Sequence, residues 1–179
     1  MGKVLDAIDD ELAEWIARQP VFFVATAPLS ADGHVNCSPK GGDCFRVLGR
    51  NSVAYLDYTG SGIETVAHLK ENGRIVVMFC AFDGKPQIAR LHGTGSVVTQ
   101  SDAGFNDAAA LFSPHPGARA IIKVDVMRVS SSCGFAVPLM DFRENRDILD
   151  KWWENKGPEG VADYRREKNA RSIDGLPGY

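Results

Sequence analysis

The sequence predicts a mainly β (α+β) fold, an antiparallel barrel of short strands with helices on its rim. Stretches rich in β-branched and aromatic residues follow one another through the middle of the chain, and most are separated by short turns containing Gly, Pro, Asn or Asp. Strand and helix signals do not alternate regularly, as a doubly wound parallel sheet would require. These two observations favour an antiparallel barrel.

The predicted strands are apolar or alternating runs bounded by turn formers. They cover residues 21–27, 35–40, 44–49, 52–58, 74–80, 87–99 and 118–131. The first two runs flank the turn "SADGH" and predict a hairpin.

An amphipathic helix is predicted before the first of these strands. Apolar residues recur at spacings of three and four, with acidic residues between them, until Pro20 ends the pattern. These apolar residues are Val4, Leu5, Ile8, Leu12, Trp15 and Ile16. Further helices are predicted over residues 61–71, about 102–112, 146–156 and 158–169. The last ten residues, "ARSIDGLPGY", are rich in turn formers and form a loose tail unless they dock on the domain.

Length and composition indicate one domain over residues 1–179, with a helical C-terminal extension from about residue 144 to 179. The chain has 20 Lys and Arg against 23 Asp and Glu, a net charge of -3, which argues against nucleic acid as a partner. We find neither an apolar run long enough to cross a bilayer nor a signal-peptide pattern, so we expect a cytoplasmic protein without a membrane partner.

The cysteines and histidines do not predict a metal site. Cys37, Cys44, Cys80 and Cys133 form no C-x-x-C pair, and the four histidines are scattered. We expect reduced thiols, most of them buried.

The stretch "LDYTGSGIETVAHLKENGR", residues 56–74, predicts an anion site. A helix that begins between Gly60 and Ile63 presents unpaired backbone N–H groups and the positive end of its dipole. Gly60 and Gly62 would let a phosphate approach the backbone closely. Hydroxyl groups are available from Thr59, Ser61 and Thr65.

A simpler interpretation of the same turn is a capping box. Ser61 and Glu64 have the spacing at which a serine and a glutamate satisfy a helix terminus without any ligand. The carboxylate of Glu64 would also repel a phosphate unless cations offset it. Lys40 in "SPKGG" and Arg90 in "QIARLHG", on neighbouring strand signals, could supply that charge.

The segments "VNCSPKGG", "YLDYTGSGIETVAHLKENGR", "VVMFCAF" and "QIARLHGTG" occur in an order and at a spacing that resemble the pyridoxamine 5'-phosphate oxidase-like family, over about residues 20–130. The resemblance implies a Greek-key-like split barrel that forms a homodimer with FMN in a groove shared by two subunits. It further implies that Ser38, Lys40, Thr59, Ser61, Thr65 and Arg90 hold the phosphate, and that Pro39 and Gly41 shape the backbone beside the flavin ring. The sequence lacks the Arg-x-His pair near the C-terminus with which authentic oxidases of this family bind pyridoxal phosphate, so vitamin B6 oxidation is not expected.

The resemblance implies an oxidoreductase that moves a hydride or electrons between FMN and a small molecule, and it leaves NAD(P)H open as a donor. Trp152 and Trp153 lie in an apolar helical stripe that packs on the barrel or on a partner subunit, although a tryptophan could also cover a flavin. Three alternatives remain: a non-catalytic flavin protein acting as a sensor, a store or a stress module; a barrel for haem or a deazaflavin; and a purely structural dimer.

Overall fold

A curled antiparallel sheet forms the body of the protein in the computed structural model, which describes residues 2–179. Its strands are β1 (Lys3–Leu5), β2 (Val21–Thr26), β3 (Asn36–Gly41), β4 (Phe45–Gly49), β5 (Ser52–Tyr58), β6 (Arg74–Cys80), β7 (Ile88–Thr99) and β8 (Ala118–Ser132). They lie in the order β3-β2-β6-β7-β8-β5-β4, and β1 pairs with β8. This confirms the predicted split-barrel fold.

Aromatic rings show how far the sheet curls. Phe22 on β2 lies 5.0 Å from Phe45 on β4, measured between ring centroids, although four strands separate β2 from β4 in the sheet. Tyr55 and Phe79 complete this cluster, with centroids 5.7 Å and 5.6 Å from Phe22. The two ends of the sheet therefore meet around one apolar interior, and the Gly42 to Cys44 turn joins them.

The described residues form four helices on the rim: α1 (Asp10–Ala17), α2 (Glu64–Asn72), α3 (Phe105–Ala109) and α4 (Ile148–Lys168). Gly157, with φ 66° and ψ 173°, interrupts α4 immediately before Pro158. The break falls between the two helices that the sequence predicts, and it confirms that division.

Three helix predictions need correction. Val4 and Leu5 belong to β1, because this part of the chain pairs with β8. The first helix begins later, where the Asp9 side chain accepts a hydrogen bond from Leu12 N–H (2.8 Å). Helix α2 begins three residues later than predicted. Helix α3 has five residues, where the sequence predicts a helix over about 102–112. A short helix is marginal in water unless packing supports it, so its ends do not extend further.

The C-terminal residues 170–179 dock on the barrel instead of forming a loose tail. Arg171 and Pro177 form a β-bridge, and Gly178 is buried against Ile63. The expectation for the thiols holds only in part: Cys44 and Cys80 are buried, whereas Cys37 and Cys133 are exposed. None of the helices within residues 2–179 is long and apolar enough to span a bilayer.

At Gly93 the backbones of β7 and β8 approach each other closely. The register shifts between His92 and Gly93, and a Cβ at position 93 would lie 2.2 Å from the Asp125 carbonyl oxygen. We expect Gly93→Ala to lower the free energy of unfolding by about 1–3 kcal/mol, because backbone cannot move aside as a side chain can. Urea denaturation measures this. Gly104→Ala is the control, since a Cβ there meets nothing within 4 Å, and an equal loss in both variants would contradict the prediction.

Candidate functional site

A buried ion cluster joins three strands at one end of the barrel. The Asp57 carboxylate on β5 accepts two hydrogen bonds from the Arg119 guanidinium on β8, 2.9 Å from Nε and 2.7 Å from Nη2. Its other oxygen lies 3.2 Å from Lys40 Nζ on β3. The side chain of Asp57 is fully buried, whereas Lys40 keeps 21% of its side-chain surface exposed.

The electrostatics of Asp57 depend on these two cations. Burial raises the pKa of its carboxyl, but the charges and hydrogen bonds of Arg119 and Lys40 outweigh burial and hold the pKa below its usual value. Asp57 is therefore a carboxylate at neutral pH, and it binds β3, β5 and β8 together.

A second buried cation, Arg165 on α4, lies behind the turn that follows β5. Its Nε donates to Thr59 Oγ1 (2.8 Å) and its Nη2 donates to the Ala118 carbonyl (2.8 Å). Both acceptors are neutral, and burial lowers the pKa of Arg165. Trp153, also on α4, donates from its indole nitrogen to the Thr59 carbonyl (3.1 Å). Helix α4 thus packs on the barrel, as one interpretation of the tryptophan stripe predicts.

The turn from Gly60 to Ile63 presents unpaired backbone donors. No acceptor within residues 2–179 takes a hydrogen bond from the backbone N–H groups of residues 60–65. The carbonyls of Gly60 and Gly62 are bonded, the first to Asn169 Nδ2 (2.9 Å) and the second to Arg119 Nη1 (2.9 Å). Ser61 and Gly62 are exposed. The turn therefore offers N–H groups to a ligand while its carbonyl groups face the protein.

The capping box that the sequence suggests does not form. Ile63 occupies the N-cap position of α2 and makes no side-chain cap bond. Glu64 Oε1 instead accepts from the Ile173 N–H of the docked C-terminal segment (3.3 Å). The alternative interpretation of this turn is consequently wrong, because the helix begins after both glycines.

A polar network runs along β3 beside this turn. Asn36 donates to Thr65 Oγ1 (3.0 Å) and accepts from the Ser38 hydroxyl (3.0 Å). Thr26 links the network to His68 Nδ1 (2.9 Å). Because Thr65 and Thr59 are 6% and 0% exposed, their hydroxyls support the site from behind, whereas Ser38 reaches the surface.

Arg90 lies apart from these residues within one chain. The paired residues Pro39, Phe23, Met78 and Arg90 form one row across β3, β2, β6 and β7 and share one face of the sheet. Lys40 pairs with Phe22 and lies on the other face. The expectation that Lys40 and Arg90 come from neighbouring strands is wrong for a single chain, since two strands separate them. Arg90 donates instead to Ser132 Oγ (3.1 Å).

His68, His92 and His115 lie in three different environments. His92 shares the face of Arg90, and its partly buried ring has a lowered pKa through burial and the neighbouring Arg128. His115 bonds Asp150 (3.1 Å) and packs edge-on against Trp153. His68 Nε2 and the Tyr55 hydroxyl are buried and have no hydrogen-bond partner among residues 2–179. Within residues 2–179, no cluster of three His, Cys, Asp or Glu side chains could hold a metal ion.

Sequence reasoning misses four residues that organise the site: Asp57, Arg119, Arg165 and Asn169. A weak signal exists for the first two. Each is a charged residue beside buried apolar residues of a strand, in "AYLDY" and "ARAII", which is unusual unless the charge is paired. Nothing local marks Arg165 or Asn169, whose role depends on where α4 docks.

The fold defines the class of the protein, that of the split barrels. A crystal structure of a putative pyridoxamine 5'-phosphate oxidase from Lactobacillus delbrueckii matches with a TM-score of 0.53 and 19% identity, over 70% of this chain and 94% of that one. HupZ from Group A Streptococcus matches with a TM-score of 0.52 and 23% identity, over 68% and 91% of the two chains. At these identities the two structures show a shared fold.

Sequence comparison shows the family. The model of the pyridoxamine 5'-phosphate oxidase family matches residues 8–133. The pyridoxamine 5'-phosphate oxidase family protein ustO of Aspergillus flavus is 44% identical over 97% of this chain and 76% of its own length. The chain belongs to the pyridoxamine 5'-phosphate oxidase family.

Proposed function

We propose that this protein binds FMN and is an oxidoreductase that transfers a hydride or electrons between the flavin and a small organic molecule. The observation that carries the proposal is the set of unpaired N–H groups of residues 60–65 beside a partly exposed Lys40. Such donors suit a phosphate, which accepts several hydrogen bonds at once.

The charge of the site fits an anionic cofactor. Lys40, Arg119 and Arg165 carry three positive charges, and Asp57 is the one carboxylate in the described part of the chain that bonds any of them. Three minus one leaves an excess of two positive charges among these side chains, close to the charge of about −2 on a phosphate monoester. The carboxylate of Glu64 opposes this balance, but its bond to Ile173 N–H draws it toward the C-terminal segment.

The proposed contacts divide into direct and supporting ones. Lys40, Ser38 and Ser61, which reach the surface, would bind the phosphate directly, and Pro39 and Gly41 would lie beside the flavin ring. Thr59 and Thr65 would support the turn from behind, since neither is exposed.

We place Arg90 in this site from a second copy of the chain, because two strands separate it from Lys40 within one chain. Its face of the sheet carries the half-buried side chains of Phe23 and Met78, which a second copy would cover. Residues 133–147 add exposed apolar side chains, among them Phe135 at 83% and Leu139 at 79%. These surfaces support a homodimer in which each flavin contacts both subunits.

When bound, the flavin supplies the electron chemistry, so the protein need only hold the ring, admit the substrate and adjust the charge around it. The excess of cations would stabilise negative charge near the phosphate, and the apolar interior behind β3 would exclude water.

A non-catalytic flavin-binding protein is the second candidate. It needs only the phosphate-binding donors described above and no group that reaches a substrate; Tyr55 and His68, both 0% exposed, reach none. Bleaching of the bound flavin by NAD(P)H, with reoxidation by an added acceptor, would support the enzyme. A flavin that no reductant bleaches would support the binding protein.

Lys40→Ala and Arg90→Ala test the proposed contacts. We expect each variant to bind FMN at least about tenfold more weakly, because a charge-assisted bond to phosphate is lost. Fluorescence titration with FMN measures this. If Arg90 acts across subunits, mixing and refolding the two variants together yields heterodimers with one intact site, and the mixture regains part of its FMN binding.

Two outcomes would contradict these assignments. Unchanged affinity in Lys40→Ala would remove the phosphate site, and unchanged affinity in Arg90→Ala would remove Arg90 from it. Arg128→Ala is the control for Arg90, since Arg128 is exposed and pairs with His92 on the same face.

A further inference from the structure

The C-terminal segment, residues 169–179, is built into the wall of the proposed phosphate site. Asn169 is fully buried, and it donates to the Gly60 carbonyl while accepting from Arg119 Nη1 (2.8 Å). Its own carbonyl accepts from the Tyr179 N–H (2.7 Å), and the Tyr179 hydroxyl donates to the Arg119 carbonyl (3.2 Å). Lys70 donates to the Gly178 carbonyl. The last residues of the chain therefore connect α2, β8 and the turn after β5.

Asn169 and Arg119 each hold one peptide group of that turn. Asn169 holds the peptide between residues 60 and 61, and Arg119 holds the peptide between residues 62 and 63. In a trans peptide, the carbonyl of one residue and the N–H of the next point in opposite directions. Because Asn169 holds the Gly60 carbonyl, the Ser61 N–H points away from Asn169. Because Arg119 holds the Gly62 carbonyl, the Ile63 N–H points away from Arg119.

Gly60 and Gly62 make the turn flexible, so its peptide groups need hydrogen bonds to hold their orientation. Glycine has the widest conformational freedom of any residue, and a Cβ at Gly60 would meet nothing within 4 Å, so packing does not hold this part of the turn. The two side-chain bonds to carbonyl oxygens are what orient these peptide groups. Arg119 also bonds Asp57, which places Lys40, so one connected network orients both the backbone donors and the lysine.

We propose that Asn169, held by the docked C-terminal segment, is a positioning residue that makes the site selective for a flavin carrying a phosphate. This inference rests on the proposed function and deepens it. Asn169 does not touch the ligand; it orients the N–H groups that do. Its removal leaves the surfaces that would meet the flavin ring in place and disorganises the phosphate donors.

The test compares FMN with riboflavin, which has the same ring and no phosphate. Asn169→Ala is titrated with each flavin by fluorescence quenching, beside the wild-type protein. We expect the affinity for FMN to fall about tenfold, corresponding to 1.4 kcal/mol, with the affinity for riboflavin unchanged within about twofold. The ratio of the two dissociation constants therefore moves toward one. A general loosening of the fold would weaken both flavins together.

A control and a second variant keep the test decisive. Arg171→Ala changes an exposed side chain of the same segment that bonds only the Gly175 carbonyl, and it is expected to keep the wild-type ratio. Truncation after Gly178 removes Tyr179 alone, with its bonds to Asn169 and Arg119, and keeps Gly178 against Ile63. It is expected to shift the ratio in the same direction if Asn169→Ala does not fold.

The inference is overturned if Asn169→Ala or the truncated chain weakens both flavins equally, or weakens neither. A wild-type protein that binds FMN no more tightly than riboflavin also overturns it. A wild-type protein that binds neither flavin overturns the proposed function itself, so the two failures are distinguishable.

Discussion

Asp57→Asn is expected to lower the free energy of unfolding by about 3–5 kcal/mol, the range found when one partner of a buried ion pair is removed. The amide keeps the shape of the side chain but leaves Arg119, 4% exposed, without its carboxylate. It also removes the partner of Lys40. Urea denaturation with a common slope measures the loss.

The pH dependence of this effect has a definite sign. The folded-state pKa of Asp57 lies below its usual value, so its stabilising contribution is present above the unfolded-state pKa and disappears as pH falls through the folded-state pKa. The difference between wild type and Asp57→Asn should therefore be largest near neutral pH and shrink in acid.

Asp43→Asn is the matched control for this substitution. Asp43 also bonds an arginine, Arg46, but its side chain is 70% exposed. An exposed pair contributes about 0–1 kcal/mol. Similar losses in both variants, or a difference that does not depend on pH, would contradict the role assigned to Asp57.

Trp153→Ala is expected to cost about 3–5 kcal/mol, as does truncation of other large buried aromatic residues. Its ring is 2% exposed and packs so closely on Gly117 that a Cβ there would lie 2.3 Å from it. The substitution leaves a cavity and also leaves the Thr59 carbonyl without its indole donor. Because Trp153 anchors α4, we also expect weaker binding of FMN. Denaturant unfolding and an FMN titration measure the two effects.

Trp152→Ala provides the comparison at the neighbouring position. Trp152 is partly exposed. It contacts Lys156 before the break in α4 and Tyr164 after it. We expect a loss of about 1 kcal/mol, as for other substitutions outside the core. If Trp152→Ala costs as much as Trp153→Ala, Trp153 is not the anchor of α4.

The strands were predictable because the signal for a strand is local. Residues 52–58 and 74–80 have the same bounds in the sequence and in the structure, since each is an apolar run between turn formers. The short strand β1 was not predictable, because its three residues become a strand only by pairing with β8, more than a hundred residues away.

The anion site was predictable in outline only. The glycine-containing turn and Lys40 carry local signals, and both belong to the anion site that we propose. The face on which Arg90 lies depends on the register of β2, β6 and β7, which no local pattern encodes. The roles of Arg165 and Asn169 follow from the docking of α4 and the C-terminal segment, so they become visible only in three dimensions.

The visible absorption spectrum of the purified protein, with the mass of any released ligand, tests the central claim most directly. We predict a flavin spectrum, a released compound with the mass of FMN, and near-stoichiometric uptake when FMN is added to stripped protein. A colourless preparation that takes up no added FMN would contradict the account.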